Sequence, residues 1–404
     1  QGDGHHVQWV QHHGLACHTF GLGAARPSAS GRQGGNRGVK ESMSAEMPTR
    51  SESGPAASKR QVIASLLYKS GLMKPVSRLR SLLKRDLRIL AYHRVLSIAE
   101  PDAFDFDLEL ISASEVRFRK QMRLLRERYT PILFGDVIRA LDTGARLPPR
   151  PVIVTFDDGY DDNYRVAFPI LRELGVPATF FVSTGHIESG KPYAYDWFVH
   201  MICRSASGQL RIAALGVDCT LPATVAQRRE LAMDLLDRLK SLDAQTQEAV
   251  IATLERETDL LRSRGHADCK PMTWDQLREM QAAGMEIGSH GVWHRMLAKL
   301  PPSEMHGEVH RSKQMLDSEL ASAVTTISYP VGGLDAYNEA VIESAKAAGY
   351  RLGCSYICGT NSLPRTAGFQ LRRLPVERHM DEAWFEAMLA LPEAFTYPSR
   401  HRAD

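Results

Sequence analysis

Between residues 87 and 376, short apolar runs, several of them β-branched, alternate about eight times with stretches of helical period. This rhythm constrains the fold more than any other feature of the chain. The runs fall at residues 87–92, 130–133, 152–156, 178–183, 285–289, 325–329, 351–355 and 370–376. Runs this apolar suit strands covered on both faces, as in a parallel sheet whose crossovers are helices. Residues 161–174 carry Val166, Ile170, Leu171 and Leu174 on one helical face and stop at Gly175, and Pro169 predicts a kink or a late start. Thr273 and Gln276 fit a capping box for a helix ending at Gly284, and residues 341–348 read as a helix ending at Gly349. The expected fold is α/β: a distorted parallel (β/α) barrel of about seven to eight strands.

The rest of the chain is organised around that rhythm. Residues 1–58 are rich in Gly, Ser, His, Arg and Gln and read as a disordered leader, with Met43 and Met47 as candidate natural starts. Residues 59–85 form a basic amphipathic region, expected to pack on the domain rather than touch a membrane surface. The barrel domain is expected over 86–392, followed by a tail at 393–404. Within it, 191–270 reads as a helical insertion with helices near 224–240 and 243–262, entered through Tyr193, Tyr195 and Trp197.

Bulk properties exclude several classes of function. The net charge of +3 is too small to argue for nucleic acid or membrane surfaces, and no apolar run is long enough to span a bilayer. No secretory signal is visible, and the six cysteines lack zinc-ribbon spacing. Together these favour a cytoplasmic setting, with envelope association as the alternative.

The chemistry-bearing residues follow the apolar runs. His93 follows the first, Asp157 and Asp158 the third, His290 the fifth and Pro330 the sixth. In a parallel barrel these strand ends converge on one face. Two carboxylates at the end of a core strand are costly unless something binds there. His290 and His294 are four apart, a spacing that puts both imidazoles on one side of a helical turn. Two imidazoles and a carboxylate make a three-ligand centre with a position open for water, and a second carboxylate is then needed to take the proton. Asp161 and Asp162 read as first-turn acids complementing a helix dipole.

Thr155-Phe156-Asp157-Asp158-Gly159-Tyr160, Ser289-His290-Gly291-Val292-Trp293-His294 and Ser328-Tyr329-Pro330-Val331-Gly332-Gly333, in that order, resemble the polysaccharide deacetylase family (carbohydrate esterase family 4) over roughly residues 87–380. The resemblance implies metal-dependent removal of acetyl groups, chiefly N-acetyl, from a polysaccharide or aminosugar oligomer. It implies Asp157 as general base and Asp158, His290 and His294 as ligands of a divalent metal, most simply Zn²⁺. The backbone N–H of Val331 would stabilise the oxyanion. The partner implied is an acetylated glycan, on whose sugar rings Trp197, Trp293 and Tyr160 are candidates to stack.

The chain departs from the family pattern at several positions. Gly291 replaces a Ser or Thr that steadies the histidine loop, and Val331 replaces a Tyr. Ser328 stands where many members have an Arg that orients the base, and Arg373 is a candidate substitute. A late Leu-x-His motif is absent, since His379 falls after the last strand. Tyr92-His93 resembles the circularly permuted exopolysaccharide-type branch, where an early strand carries the acid, so His93 is the expected acid. Two other readings stay open: a hydrolase of a small non-sugar amide, and an inactive carbohydrate-binding relative.

Overall fold

The computed structural model describes residues 59–363 and 368–396. The expected leader, with Cys17, and residues 397–404 lie outside them. Eight strands form one parallel sheet: β1 (Arg88–Tyr92), β2 (Thr130–Pro131), β3 (Pro151–Phe156), β4 (Thr179–Val182), β5 (Glu286–Ser289), β6 (Thr326–Ser328), β7 (Leu352–Cys358) and β8 (Leu371–Pro375). Seven close into a barrel in the order β1-β8-β7-β6-β5-β4-β3, with β3 returning to β1. β2 is the extra strand and pairs with β3 alone. All eight expected runs are strands. The second is two residues long, because Leu133 already caps the helix Phe134–Thr143.

Closure makes the earliest strand a neighbour of the last. Leu90 stands opposite Leu374, and Tyr92 stands opposite Phe156. The two-residue period of each strand then sorts its side chains. Ile89, Ile153, Phe181, Leu352, Cys354 and Leu371 share one cluster, which fills the barrel. Leu90, Tyr92, Val152, Val154, Phe156 and Phe180 join the larger cluster beneath the outer helices. Continuing that alternation past the strand ends carries His93 and Asp157 inward, on the same parity as Ile89 and Ile153.

Several helices differ from expectation. The basic stretch is not one helix but two, Lys59–Lys69 and Met73–Leu83, parted at Gly71 where φ is 73°. After Asp162 the expected helix opens with a π-helical turn, Asn163–Ala167, and becomes α-helical at Phe168–Leu174. Pro169 lacks the N–H that a regular helix would use, so its late start is realised there. Thr273 and Gln276 form the expected capping box.

The 191–270 region contains more than its expected helices. Ala194–Arg204 leads into an antiparallel hairpin, Gln209–Ile212 with Val217–Thr220, followed by Val225–Ser241 and Ala244–Thr258. The hairpin is too short and too polar on its outer face to stand out in the sequence. These elements share a separate apolar cluster with Phe104, Phe106 and Ile111. Among the described residues, no helix is long and apolar enough to cross a membrane.

Candidate active site

Asp157 ends the β3 ladder, its N–H donating to the Tyr92 carbonyl at 2.9 Å. Arg373, on β8, meets it through a two-bond fork: Nη1 to Oδ1 and Nη2 to Oδ2, each 2.7 Å. The guanidinium also donates to the Ser355 carbonyl, Ser328 Oγ and Thr155 Oγ1. It is completely buried. Burial alone would raise the pKa of Asp157, but Arg373, with His290 nearby, holds it below the ordinary carboxylate range. Ser328 is small enough to leave room for this cation and polar enough to accept from it.

Asp158 breaks the strand's alternation. Its φ of 71° re-aims the chain, so two consecutive carboxylates can reach the same mouth rather than opposite faces of the sheet. Gly159 continues the turn at φ 96°, where a Cβ would sit 3.0 Å from Val182. Tyr193 Oη and the Ser183 N–H hold the Asp158 carbonyl at 2.8 and 3.2 Å.

Asp158 Oδ1 lies 3.5 Å from His290 Nε2 and 3.1 Å from His294 Nε2. No hydrogen bond satisfies that buried oxygen. The three donor atoms lie within 4.8 Å of one another. His290 Nδ1 stands 2.7 Å from the Ser328 carbonyl, which fixes the proton there and leaves the Nε2 lone pair facing Asp158. Ligands about 2.0–2.1 Å from one tetrahedral zinc stand roughly 3.3 Å apart, so this donor set fits a divalent cation. Burial opposes ionisation of Asp158, yet His294 and His290 hold its pKa well below the usual range.

The histidine loop corrects one expectation. Residues 290–294 form a turn, not a helical one, with Gly291 at φ 76° and His294 at φ 54°. The rings still meet, with centroids 4.9 Å apart. Buried Glu308, on the helix Pro302–Glu319, steadies the loop by accepting the N–H groups of Val292 and Trp293 at 2.7 and 2.9 Å. From the other side, the N–H groups of Thr184 and Gly185 donate to the carbonyls of Gly291 and Val292. A Cβ at residue 291 would lie 3.1 Å from Glu308 Oε2. Here the glycine makes room for the carboxylate that replaces the expected hydroxyl.

His93 follows β1 at the same mouth, partly exposed, with its ring 5.4 Å from that of Tyr356. Its N–H donates to Ser112 Oγ, and its carbonyl accepts from Asn163 Nδ2. Burial lowers its pKa against the pull of the Asp158 and Asp157 charges. Asp161 and Asp162 stand in the first turn of the helix that ends at Gly175, as expected, and are buried. Asp162 accepts from Arg94 Nε and the Val95 N–H, bracing the chain just after His93, and Asp161 accepts from Gln276. Val331 has φ 64°, a strained setting for a β-branched residue, and its N–H meets no acceptor among the described residues. His379 instead pairs with Glu377 at 3.2 Å.

Of the three aromatic candidates, Tyr160 and Trp197 are core residues, 1% and 2% exposed, and cannot meet a ligand. Trp293 is 39% exposed. It borders a cleft of about 1120 Å³ between the mouth and the insertion, lined by Tyr195, His294, Arg295 and residues of the helix Ala244–Thr258. Tyr195 spans the two, donating to Gln247 at 2.7 Å with its ring 6.0 Å from that of His294. Sequence reasoning did not assign Tyr193, Tyr356 or Glu308 to the site. The Tyr/Trp run was a signal for Tyr193; Glu308 and Tyr356 had none.

The sequence profile of the family described as Polysaccharide deacetylase matches residues 144–353. The chain belongs to the polysaccharide deacetylase family. That match contains Asp157, Asp158, His290, His294 and Val331, whereas His93 and Arg373 lie beyond its two ends. YxkH of Bacillus subtilis (strain 168), a provisionally named polysaccharide deacetylase, is 25% identical over 239 residues, 59% of this chain and 56% of that one. A poly-β-1,6-N-acetyl-D-glucosamine N-deacetylase of Staphylococcus aureus (strain MSSA476) is 29% identical over 104 residues, covering 24% of this chain and 36% of that one. The match thus spans about half of YxkH and about a third of the staphylococcal enzyme. The Streptococcus pyogenes deacetylase PplD, solved with acetate, shares the fold at a TM-score of 0.50 and 22% identity, covering 78% of this chain and 99% of that one. Cys203, Cys269 and Cys354 are buried free thiols. The fold gives the cytoplasmic expectation no support.

Proposed function

We propose that this polysaccharide deacetylase family member is a metal-dependent enzyme that removes N-acetyl groups from a polysaccharide or aminosugar oligomer. One observation carries the reading: two neighbouring buried carboxylates differ in partners, Asp157 being saturated by Arg373 while Asp158 turns an unsatisfied oxygen toward two imidazoles. Family membership and the poly-N-acetylglucosamine deacetylase relative support the reaction class and the substrate class.

Asp158, His290 and His294 would hold the cation, which when bound polarises the acetyl carbonyl and lowers the pKa of water toward ~7. Asp157, fixed by the Arg373 fork, takes the proton as water adds to the carbonyl carbon. The Val331 N–H, which meets no acceptor among the described residues, stabilises the developing oxyanion. His93 gives a proton to the sugar nitrogen as the C–N bond breaks, yielding acetate and a free amine. Burial lowers the His93 pKa, and the Asp158 and Asp157 charges oppose that lowering. Trp293 and the adjoining cleft receive neighbouring sugars. The inactive-relative reading rested on a missing Arg and on Gly291, and Arg373 and Glu308 fill both places.

The test is acetate release from N-acetylglucosamine oligomers, O-acetylated glycans and small amides, with and without chelator. Release from the N-acetylated oligomers, abolished by chelator and restored by a divalent metal, is expected. Release from small amides alone would overturn the substrate class, and chelator-insensitive release would overturn the metal.

A further inference from the structure

Residues 59–85 carry eight Lys or Arg and no Asp or Glu. That exceeds the net +3 of the whole chain, so everything outside this segment is net negative. Its two helices dock through a narrow strip: Ala64 and Met73 are buried in the main core, and Arg80 binds Asp86 through two bonds and Glu393 through one. The opposite side is apolar and open. Val62, Ile63 and Leu66 on the first helix, and Leu72, Leu79 and Leu83 beside or on the second, are between 47% and 81% exposed. Leu72, Leu79 and Leu83, spaced by seven and four, lie along one helical line. Lys69, Lys74, Arg78 and Arg85 find no acidic partner among the described residues.

We propose that this face is a docking surface for an anionic lipid bilayer. An exposed aliphatic stripe flanked by unpaired cations is the arrangement with which amphipathic helices lie in a bilayer interface. Aliphatic side chains enter the acyl boundary, while Lys and Arg reach the headgroups. Charge selects the partner: the segment carries eight cations and no acid while the rest of the chain is net negative, so an anionic sheet is drawn to this face. Nucleic acid would use the cations but leave six aliphatics in water. The second helix leads directly into the start of β1, at the barrel end opposite the mouth, so docking leaves the candidate active site open to glycan.

The full chain is mixed with phosphatidylcholine vesicles containing 30 mol% phosphatidylglycerol, or none, and sedimented. Binding to the anionic vesicles alone is expected, falling by at least tenfold as salt rises from about 0.05 to 0.5 M. Leu79→Glu and Leu83→Glu, at exposed positions that need no repacking, each abolish it. Arg78→Gln weakens it about fivefold, the share of one surface cation. The proposal falls if the anionic vesicles leave the protein in solution, or if Leu79→Glu binds them as well as the parent. It also falls if light scattering finds a dimer that Leu79→Glu dissociates, since the stripe then covers a second copy.

Discussion

Asp157 and Asp158 are consecutive, acidic and buried, yet their surroundings are opposite. On the Arg373 side, both carboxylate oxygens accept from one guanidinium, which is itself held by Ser355, Ser328 and Thr155. On the histidine side, Asp158 Oδ1 faces two ring nitrogens and has no hydrogen bond. A buried charge with all its partners is a fixed structural and electrostatic element. A buried oxygen left among lone pairs is stabilised by a cation. The contrast supports the proposed roles, in which the first carboxylate takes a proton and the second binds the cation.

The largest effect should come from breaking the histidine side. Asp158→Asn or His290→Ala should lose bound metal, measured by elemental analysis, together with acetate release by about 10³-fold or more. Metal retained at full stoichiometry would erase the contrast. Asp157→Asn should leave metal content near the parent's and lower kcat by about 10²–10⁴-fold. Arg373→Met would strand Asp157 as an unpaired buried charge, costing about 3–5 kcal/mol in thermal or denaturant unfolding. Arg373→Lys should recover part of that stability while kcat stays depressed, because an ammonium cannot form the fork. The smallest effect tests the loop rather than either carboxylate. Glu308→Gln keeps an oxygen for the two N–H groups that share Oε2 but removes its charge, and should weaken metal affinity of the apoprotein about tenfold, with unfolding nearly unchanged.

Much of this was legible from the residues alone. The eight apolar runs are the eight strands, and closure of seven follows from their parallel, helix-connected order. Asp157, Asp158, His290 and His294 announced themselves because each follows a core strand where an unpaired polar group is costly. The local conformation was not legible. The turn at 290–294 depends on Glu308, on a distant helix, and the left-handed backbone at Asp158 depends on Tyr193 and Ser183. Burial of Tyr160 and Trp197 was likewise invisible, because an aromatic reads alike in a core and in a ligand cleft.

Strand periodicity and residue chemistry therefore determine the barrel and name its two acids and two histidines, since both are written within a few consecutive residues. What only the tertiary structure decided is partnership. Arg373 reaches Asp157 across 216 positions, and His93 enters the mouth from the other end of the chain, because closing the ring sets β8 and β3 on either side of β1. An ion pair over that separation has no period or spacing to betray it. It exists because the fold brings the two side chains to the same interior layer, where neither could stay charged alone.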